Sequence, residues 1–272
     1  MNVLIIGCGY LGSVLAKLWK ERGYHVTATT RSPTRLDSLS RVCQKGVILR
    51  GTDVESLAEL MPTQDLVLVT IGADDASDYE NAYLKTARAI RAVATELPPK
   101  HLIYTSSTAV YGDLHGLWVD ETTPPNPKSE QAKILLETEE VYLSLVSNGW
   151  KVTLFRLGEI YGPDRELKKR MEKLQGQTLP GSGDLYSNMI HRDDAASAID
   201  YAFRHHLTGI YNLADDEHPT RKALYQELAQ IYKIAPPNWD PELPTFHSGN
   251  KRVSNHKIKG EGFAFIHSKR AH

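Results

Sequence analysis

The sequence predicts an α/β fold, a doubly wound parallel sheet with a small C-terminal lobe, and three observations carry that prediction. The run Val3-Leu4-Ile5-Ile6 reads as a buried strand and leads through Gly7-Cys8-Gly9-Tyr10-Leu11-Gly12 into a helical stretch over residues 13–20. Apolar, β-branched strands then alternate with helical stretches as far as residue 214, the pattern of repeated right-handed crossovers. Two stretches break that alternation: residues 165–184 are polar and interrupted by glycines, and those beyond 215 are rich in proline. On this reading residues 1–157 and 186–214 form the sheet domain, and residues 158–185 and 215–272 form a small substrate-binding lobe.

The glycine spacing G-x-G-x-x-G has a physical meaning at each position. Gly7 permits the tight turn out of the strand, Gly9 lets a pyrophosphate approach the backbone, and Gly12 lets the helix lie close on the strand. Backbone N–H groups over Tyr10, Leu11 and Gly12, at the start of the helix, are placed to hold phosphate. A strand before the motif and a helix after it make this the context of a Rossmann dinucleotide site.

The second strand, residues 24–30, ends at Thr29-Thr30-Arg31-Ser32. An NAD site places an acid near this point for the ribose 2′-hydroxyl; here a cation stands with no carboxylate beside it, and Arg35 follows one helical turn on. A guanidinium can clamp a 2′-phosphate with two parallel N–H bonds, so Arg31, Ser32 and Arg35 favour NADP over NAD. A third strand over residues 47–49 leads to Asp53, read both as an adenine-edge contact and as a cap for the helix that follows. The fourth, residues 66–73, brings the small residues Gly72 and Ala73 to the carboxyl edge of the sheet, where open α/β sheets bind ligands. The run Asp74-Asp75-Ala76-Ser77-Asp78 has neither the glycine pattern nor the histidine of a metal loop and is expected to be solvated; no metal site is expected.

A helix over residues 83–94 stops at Pro98-Pro99, and the strand from His101 runs into Thr105-Ser106-Ser107-Thr108, hydroxyls expected beside the nicotinamide. A long helix over residues 129–147 carries Lys133, and further strands are read over residues 152–157 and 210–214. A net charge of −1 gives no bulk attraction to nucleic acid or to anionic lipid. No apolar run reaches the about 18 residues of a membrane helix, and the chain opens on a core strand where a signal peptide would lie. Two cysteines, Cys8 and Cys43, make no disulfide framework, so a soluble cytoplasmic protein is expected.

Four blocks in this order resemble the NAD(P)-dependent epimerase/dehydratase group of the extended short-chain dehydrogenases/reductases. They are Gly7 to Gly12, the block Ser106 to Gly112, Phe155-Arg156 through Tyr161-Gly162-Pro163, and the segment from Ile190-His191 through Asp193-Asp194-Ala195. The whole chain is most similar to a bacterial subgroup of atypical members. The resemblance implies that Ser107 hydrogen-bonds the substrate oxygen, that Lys133 holds the nicotinamide ribose, and that helices pair in a homodimer. It also exposes a departure. The family's Tyr-x-x-x-Lys reads here as Ser129-Glu130-Gln131-Ala132-Lys133, so Ser129 stands in place of the acid/base tyrosine. A serine hydroxyl is a far weaker acid than a phenol of pKa about 10, and it is shorter by a ring.

Tyr111, Tyr161 and Tyr186 lie in segments that should face the cleft, where one of them could supply the proton; the resemblance instead implies that Tyr111 and Tyr161 pack as aromatics, and that His191, which could also be read as a base, orients the cleft floor. Thr108 and Ala109 replace the Asp-Glu of sugar-nucleotide dehydratases, and Glu159 replaces an asparagine of many sugar-nucleotide enzymes. Both changes point away from those reactions. The expected function is an oxidoreductase or epimerase acting on a hydroxyl or carbonyl of a small substrate, a sugar-like one among the candidates, with Ser107, Lys133 and Ser129 at its catalytic centre. The other reading is a catalytically inactive NADP(H)-binding sensor. The basic stretch from Lys251-Arg252 to Lys257-Ile258-Lys259 is either an anion-binding patch or a solvated surface.

Overall fold

The computed structural model describes residues 1–243 and 249–270, so residues 244–248 and 271–272 of the expected small lobe lie outside it. Seven strands build the main sheet: β1 Asn2–Ile6, β2 His25–Thr30, β3 Lys45–Ile48, β4 Leu66–Val69, β5 His101–Ser107, β6 Lys151–Leu157 and β7 Gly209–Leu213. Their order is β7-β6-β5-β4-β1-β2-β3. The chain therefore starts in the middle, winds out through β2 and β3, returns to β4 and winds out the other way. Pairs β1–β2, β2–β3, β1–β4 and β4–β5 are all parallel. The doubly wound sheet read from the sequence is the one observed, with its switch point between β1 and β4.

The helices are α1 Gly12–Glu21, α2 Leu36–Val42, α3 Val54–Leu60, α4 Thr86–Ala94, α5 Glu130–Leu143, α6 Leu167–Leu174, α7 Arg192–Arg204, α8 Arg221–Tyr232 and α9 His256–Gly260. Among the described residues, no helix is long and apolar enough to cross a membrane. Strand β4 ends at Val69, four residues short of the expected Ala73. Its neighbour β1 supplies ladder partners only as far as Ile6, because the chain turns away at Gly7. The expected long helix likewise ends at Leu143 and tightens into a 3₁₀ turn that closes on Gly149 at φ +82°.

The chain divides into two compact units. The first comprises Met1–Ser106, Glu130–Phe155 and Ala196–Ile210. Its core packs Leu4, Ile6, Val67, Val69, Leu102 and Tyr104 of the sheet against Ile90 and Val93 of α4 and Tyr142 of α5. Strands β1 and β4 read as unbroken aliphatic runs because helices cover both faces of a parallel sheet. Each fully buried aliphatic side chain stabilises the unit by about 1.5–3 kcal/mol before entropy is charged against it. In the same unit Asp200 of α7 accepts from Trp19 Nε1 at 3.0 Å and pairs with Arg22 and Arg204.

The second unit comprises Ser107–Ser129, Arg156–Ala195 and Tyr211–His272. Its core joins Leu167 and Met171 of α6 to Leu224, Tyr225 and Leu228 of α8, with Tyr161 and Met189. Three short parallel pairs frame it: Glu159–Tyr161 with Met189–His191, Thr178–Pro180 with Asn238–Asp240, and Trp118–Val119 with Arg252–Val253. Residues 165–184 are thus more ordered than their glycines suggest: Leu167 and Met171, one helical turn apart, give α6 its buried side.

Candidate functional site

The loop from β1 to α1 distinguishes its three glycines by what a Cβ would meet. At Gly7, φ is +84° and a Cβ would stand 2.5 Å from Ile71 Cγ2. At Gly12 it would lie 3.0 Å from Thr70 Cγ2, 3.1 Å from the Gly7 carbonyl oxygen and 3.2 Å from Ile5 Cγ2. These two glycines are required by the turn and by the seating of α1 on the sheet. At Gly9 nothing lies nearer than the Gly7 carbonyl at 4.0 Å, so the fold does not demand glycine there. An open face over a backbone that tolerates any residue is what a phosphate-approach position requires.

The loop is pinned by β2: Gly7 N donates to Thr29 Oγ1 at 3.1 Å and Cys8 N to the Thr29 carbonyl at 2.8 Å. Helix α1 has no side-chain cap and no acid in its first turn. The amides of Leu11 and Gly12 meet no protein acceptor among the described residues. Unmet N–H groups and the positive end of a ten-residue helix form an anion site, and the residues present fit the pyrophosphate of a dinucleotide. Cys8 brings no negative charge to it, since burial and then the neighbouring Cys43 push its thiol up to about 12. Both cysteines are free and buried.

At the end of β2 the structure overturns one expectation. Arg31 does not stand without a carboxylate: its Nη1 pairs with Asp78 Oδ2 at 2.5 Å, and its Nη2 with Asp74 Oδ1 at 3.0 Å and the Gly72 carbonyl at 3.2 Å. The loop after β4 folds back onto the end of β2, which no local sequence pattern reveals. The Asp74–Asp78 run is therefore not simply solvated; Asp75 caps its turn, accepting from Ser77 N at 2.8 Å and Asp78 N at 3.2 Å. Arg35 is the cation left open. It is exposed, donates to the Cys8 carbonyl at 3.0 Å, and has no carboxylate partner among the described residues. Beside it Ser32 Oγ and Thr34 Oγ1 share a hydrogen bond of 2.7 Å. Asp53 is a helix cap, with Oδ1 accepting from Ser56 N at 3.1 Å and Oδ2 from Ser56 Oγ at 2.7 Å.

The hydroxyl cluster splits. Ser106 Oγ donates to Glu139 Oε1 of α5 at 2.6 Å and Thr105 Oγ1 to the Val69 carbonyl at 3.4 Å, all four residues being buried. These two hydroxyls are engaged within the first unit. Lys133 sits exposed on α5, paired with Glu130 at 3.2 Å, and Ser129 is exposed directly before that helix.

In the second unit Ser107 is half-buried and its Oγ accepts from Ala109 N at 3.1 Å, capping the turn Thr108–Tyr111. Accepting through oxygen leaves its own proton available for donation. Two of the three expected proton sources are buried in packing. Tyr111 is fully buried, donates to Asn212 Oδ1 at 2.9 Å and lies under the Arg156 guanidinium at 4.7 Å. Tyr161 is 2% exposed and meets the His191 ring edge-on at 5.2 Å. Tyr186 is half-buried with Arg252 at 4.9 Å over its ring.

His191 is buried, its Nδ1 accepts from Asp193 N at 3.2 Å, and its ring packs against that of His267 at 3.8 Å between centroids with a tilt of 34°. Asp194 accepts from Ile266 N at 2.6 Å, His267 N at 2.9 Å and His267 Nδ1 at 3.1 Å. Although the three side chains place ligand atoms within 4.8 Å of one another, these bonds engage the Asp194 oxygens and one nitrogen of each histidine in tying down residues 266–267. The basic stretch is likewise absorbed. Lys251 is buried and donates to the Gly112 carbonyl at 3.1 Å, its ammonium pulled down to about 8 by burial. Arg252 lies between Trp118 at 5.1 Å and Tyr186 at 4.9 Å, Lys257 stands 4.5 Å over Tyr211, and Lys259 pairs with Asp216 at 2.5 Å.

The sequence model of the NAD dependent epimerase/dehydratase family matches residues 3–214. The chain belongs to this family. A relative of similar length, Protein YeeZ of Escherichia coli (strain K12), is 32% identical over 253 residues, which cover 89% of this chain and 88% of that protein. Among solved structures, UDP-glucose 4-epimerase from Thermotoga maritima, with UDP-glucose, superposes with a TM-score of 0.83 at 20% identity over 98% of this chain and 94% of that one. UDP-glucose 4-epimerase from Thermus thermophilus, in complex with NAD, gives 0.81 at 22% identity over 98% and 94%. At such identities the structures establish the fold; membership of the epimerase/dehydratase family establishes a nicotinamide-dinucleotide-binding lineage.

Proposed function

We propose that this member of the epimerase/dehydratase family is an oxidoreductase or epimerase that uses NADP(H) on a hydroxyl or carbonyl carbon of a small substrate. The observation that carries the reading is the glycine loop. Gly7 and Gly12 are fixed by sterics, Gly9 is left open, and the amides of Leu11 and Gly12 at the start of α1 meet no acceptor among the described residues. When bound, the dinucleotide supplies hydride chemistry; the chain supplies position, hydrogen bonds and a route for the proton.

Arg35 supports the phosphorylated form of the cofactor. It is an exposed guanidinium beside the loop with no carboxylate partner among the described residues, and the Ser32 and Thr34 hydroxyls lie near it in sequence. Lys133, exposed on α5, is the residue to hold the ribose hydroxyls, and Ser107, whose proton is free, to donate to the substrate oxygen. Ser129 lies next to that helix but has no phenol to offer. A positioned general acid is worth about 10²–10⁴ in rate, so the proton comes through water or Tyr186 at a slower turnover than a tyrosine in place of Ser129 would give. The Thr108-Ala109 pair argues against sugar-nucleotide dehydration, and Glu159 against the substrate class of the sugar-nucleotide enzymes.

The test is turnover. NADPH oxidation is followed against a panel of carbonyl compounds, and NADP⁺ reduction against the matching alcohols, for wild type and Ser107→Ala. The expected outcome is turnover by the wild type, and its loss in S107A with NADPH affinity retained. Equal turnover by the variant removes Ser107 from the reaction.

A further inference from the structure

The end of β2 carries an arrangement that the family's dinucleotide chemistry does not require. The Arg31 guanidinium makes hydrogen bonds to Asp78 and the Gly72 carbonyl and an ion pair with Asp74. A planar guanidinium binds a phosphate through two parallel donors, and with both Nη atoms engaged the pair of donors at its tip is already occupied. The competing carboxylate is held in place. Asp75 caps the short turn Ala76–Asp78, and beyond it Tyr79 and Tyr83 pack at 5.1 Å, Tyr83 lying against the core of the first unit. Asp78 is accordingly the more sheltered acid, its side chain 24% exposed against 83% for Asp74.

We infer that Asp74 and Asp78 are specificity-determining residues: they compete with the 2′-phosphate of the dinucleotide for Arg31 and so hold down the preference for NADP(H) over NAD(H). The two carboxylates act as a built-in substitute for the phosphate. A 2′-hydroxyl leaves the clasp shut, because it asks nothing of Arg31. A 2′-phosphate must open it or bind through Arg35 alone, in the field of nearby carboxylates. Because the guanidinium is partly exposed, the competition is modest and screened by salt. This inference rests on the dinucleotide reading above and refines which form that site prefers.

The experiment is a fluorescence titration of the intact protein with NADPH and with NADH at low salt, for wild type, Asp74→Asn/Asp78→Asn, and Arg31→Gln. Melting curves establish that each variant is folded. The asparagine pair is expected to tighten NADPH by about three- to tenfold and to leave NADH within about twofold. In an R31Q background the same asparagine changes are expected to leave NADPH affinity unmoved. The inference is overturned if both dinucleotides shift by the same factor, if NADPH is unaffected by the asparagines, or if they act equally without Arg31. Binding of neither dinucleotide by the wild type overturns the dinucleotide reading itself, and the clasp with it.

Discussion

Single side chains in this molecule differ in whether the fold or the ligand requires them, and substitution separates the two. Gly7 is required by the backbone: alanine there must adopt φ +84° and crowd Ile71. Gly7→Ala is expected to destabilise the first unit by about 1–3 kcal/mol, measured by urea unfolding. Tyr104 is the opposite case. Its hydroxyl is buried beside the Tyr142 ring at 4.8 Å with Ser106 near it but no hydrogen bond of normal geometry among the described residues, and burial drives the phenol far above its ordinary range. Removing an unmet buried hydroxyl relieves a desolvation cost, so Tyr104→Phe should be neutral or stabilising by up to about 1 kcal/mol. A loss above about 2 kcal/mol would reveal a partner that the geometry does not contain.

Elements hold their places through caps and crossing contacts. Thr220 caps α8 by accepting from Ala223 N at 3.2 Å. Thr220→Ala should cost about 1 kcal/mol, read as a fall in the unfolding midpoint. Most strands and helices were legible from local pattern. The aliphatic runs of β1 and β4 and the glycine loop between β1 and α1 each state their structure within ten residues. What was hidden is what distant residues contribute. Nothing near Arg31 announces that residues 74 and 78 return to it, and nothing near Ser106 announces a buried Glu139. Tyr111 and Tyr161 look like accessible acids beside glycines, yet packing from Arg156, Asn212 and His191 encloses them. Site residues fixed by the loop's own geometry were legible; those decided by a tertiary neighbour were not.

At the scale of the whole molecule, pH should act through the buried pair in the second unit. Asp215 and Arg270 lie 3.4 Å apart with almost no exposure, and Asp216 N donates to the Ser268 carbonyl at 2.8 Å in the same stretch. Burial pushes the Asp215 carboxyl up to about 7, with Arg270 opposing the shift. Its unfolded value is about 3.9, so between these values the folded state binds the proton that the unfolded chain has lost. Stability from this group is therefore fully present below about pH 4 and is lost as pH rises towards 7. Compared with Asp215→Asn, the wild type should be relatively more stable at pH 5 than at pH 8 in parallel urea titrations. The reverse slope would show the carboxylate to be held ionised by Arg270.

All of this hangs on the dinucleotide loop, and Gly9 tests it most directly. A Cβ at Gly9 meets nothing closer than the Gly7 carbonyl oxygen at 4.0 Å, so Gly9→Ala should melt with the wild type. The same Cβ stands where a pyrophosphate must approach the backbone. Titration with NADPH, followed by its fluorescence, should show saturable binding by the wild type and weakening of at least about tenfold in the variant. Equal binding by both proteins, or no saturable binding by the wild type, would contradict the account.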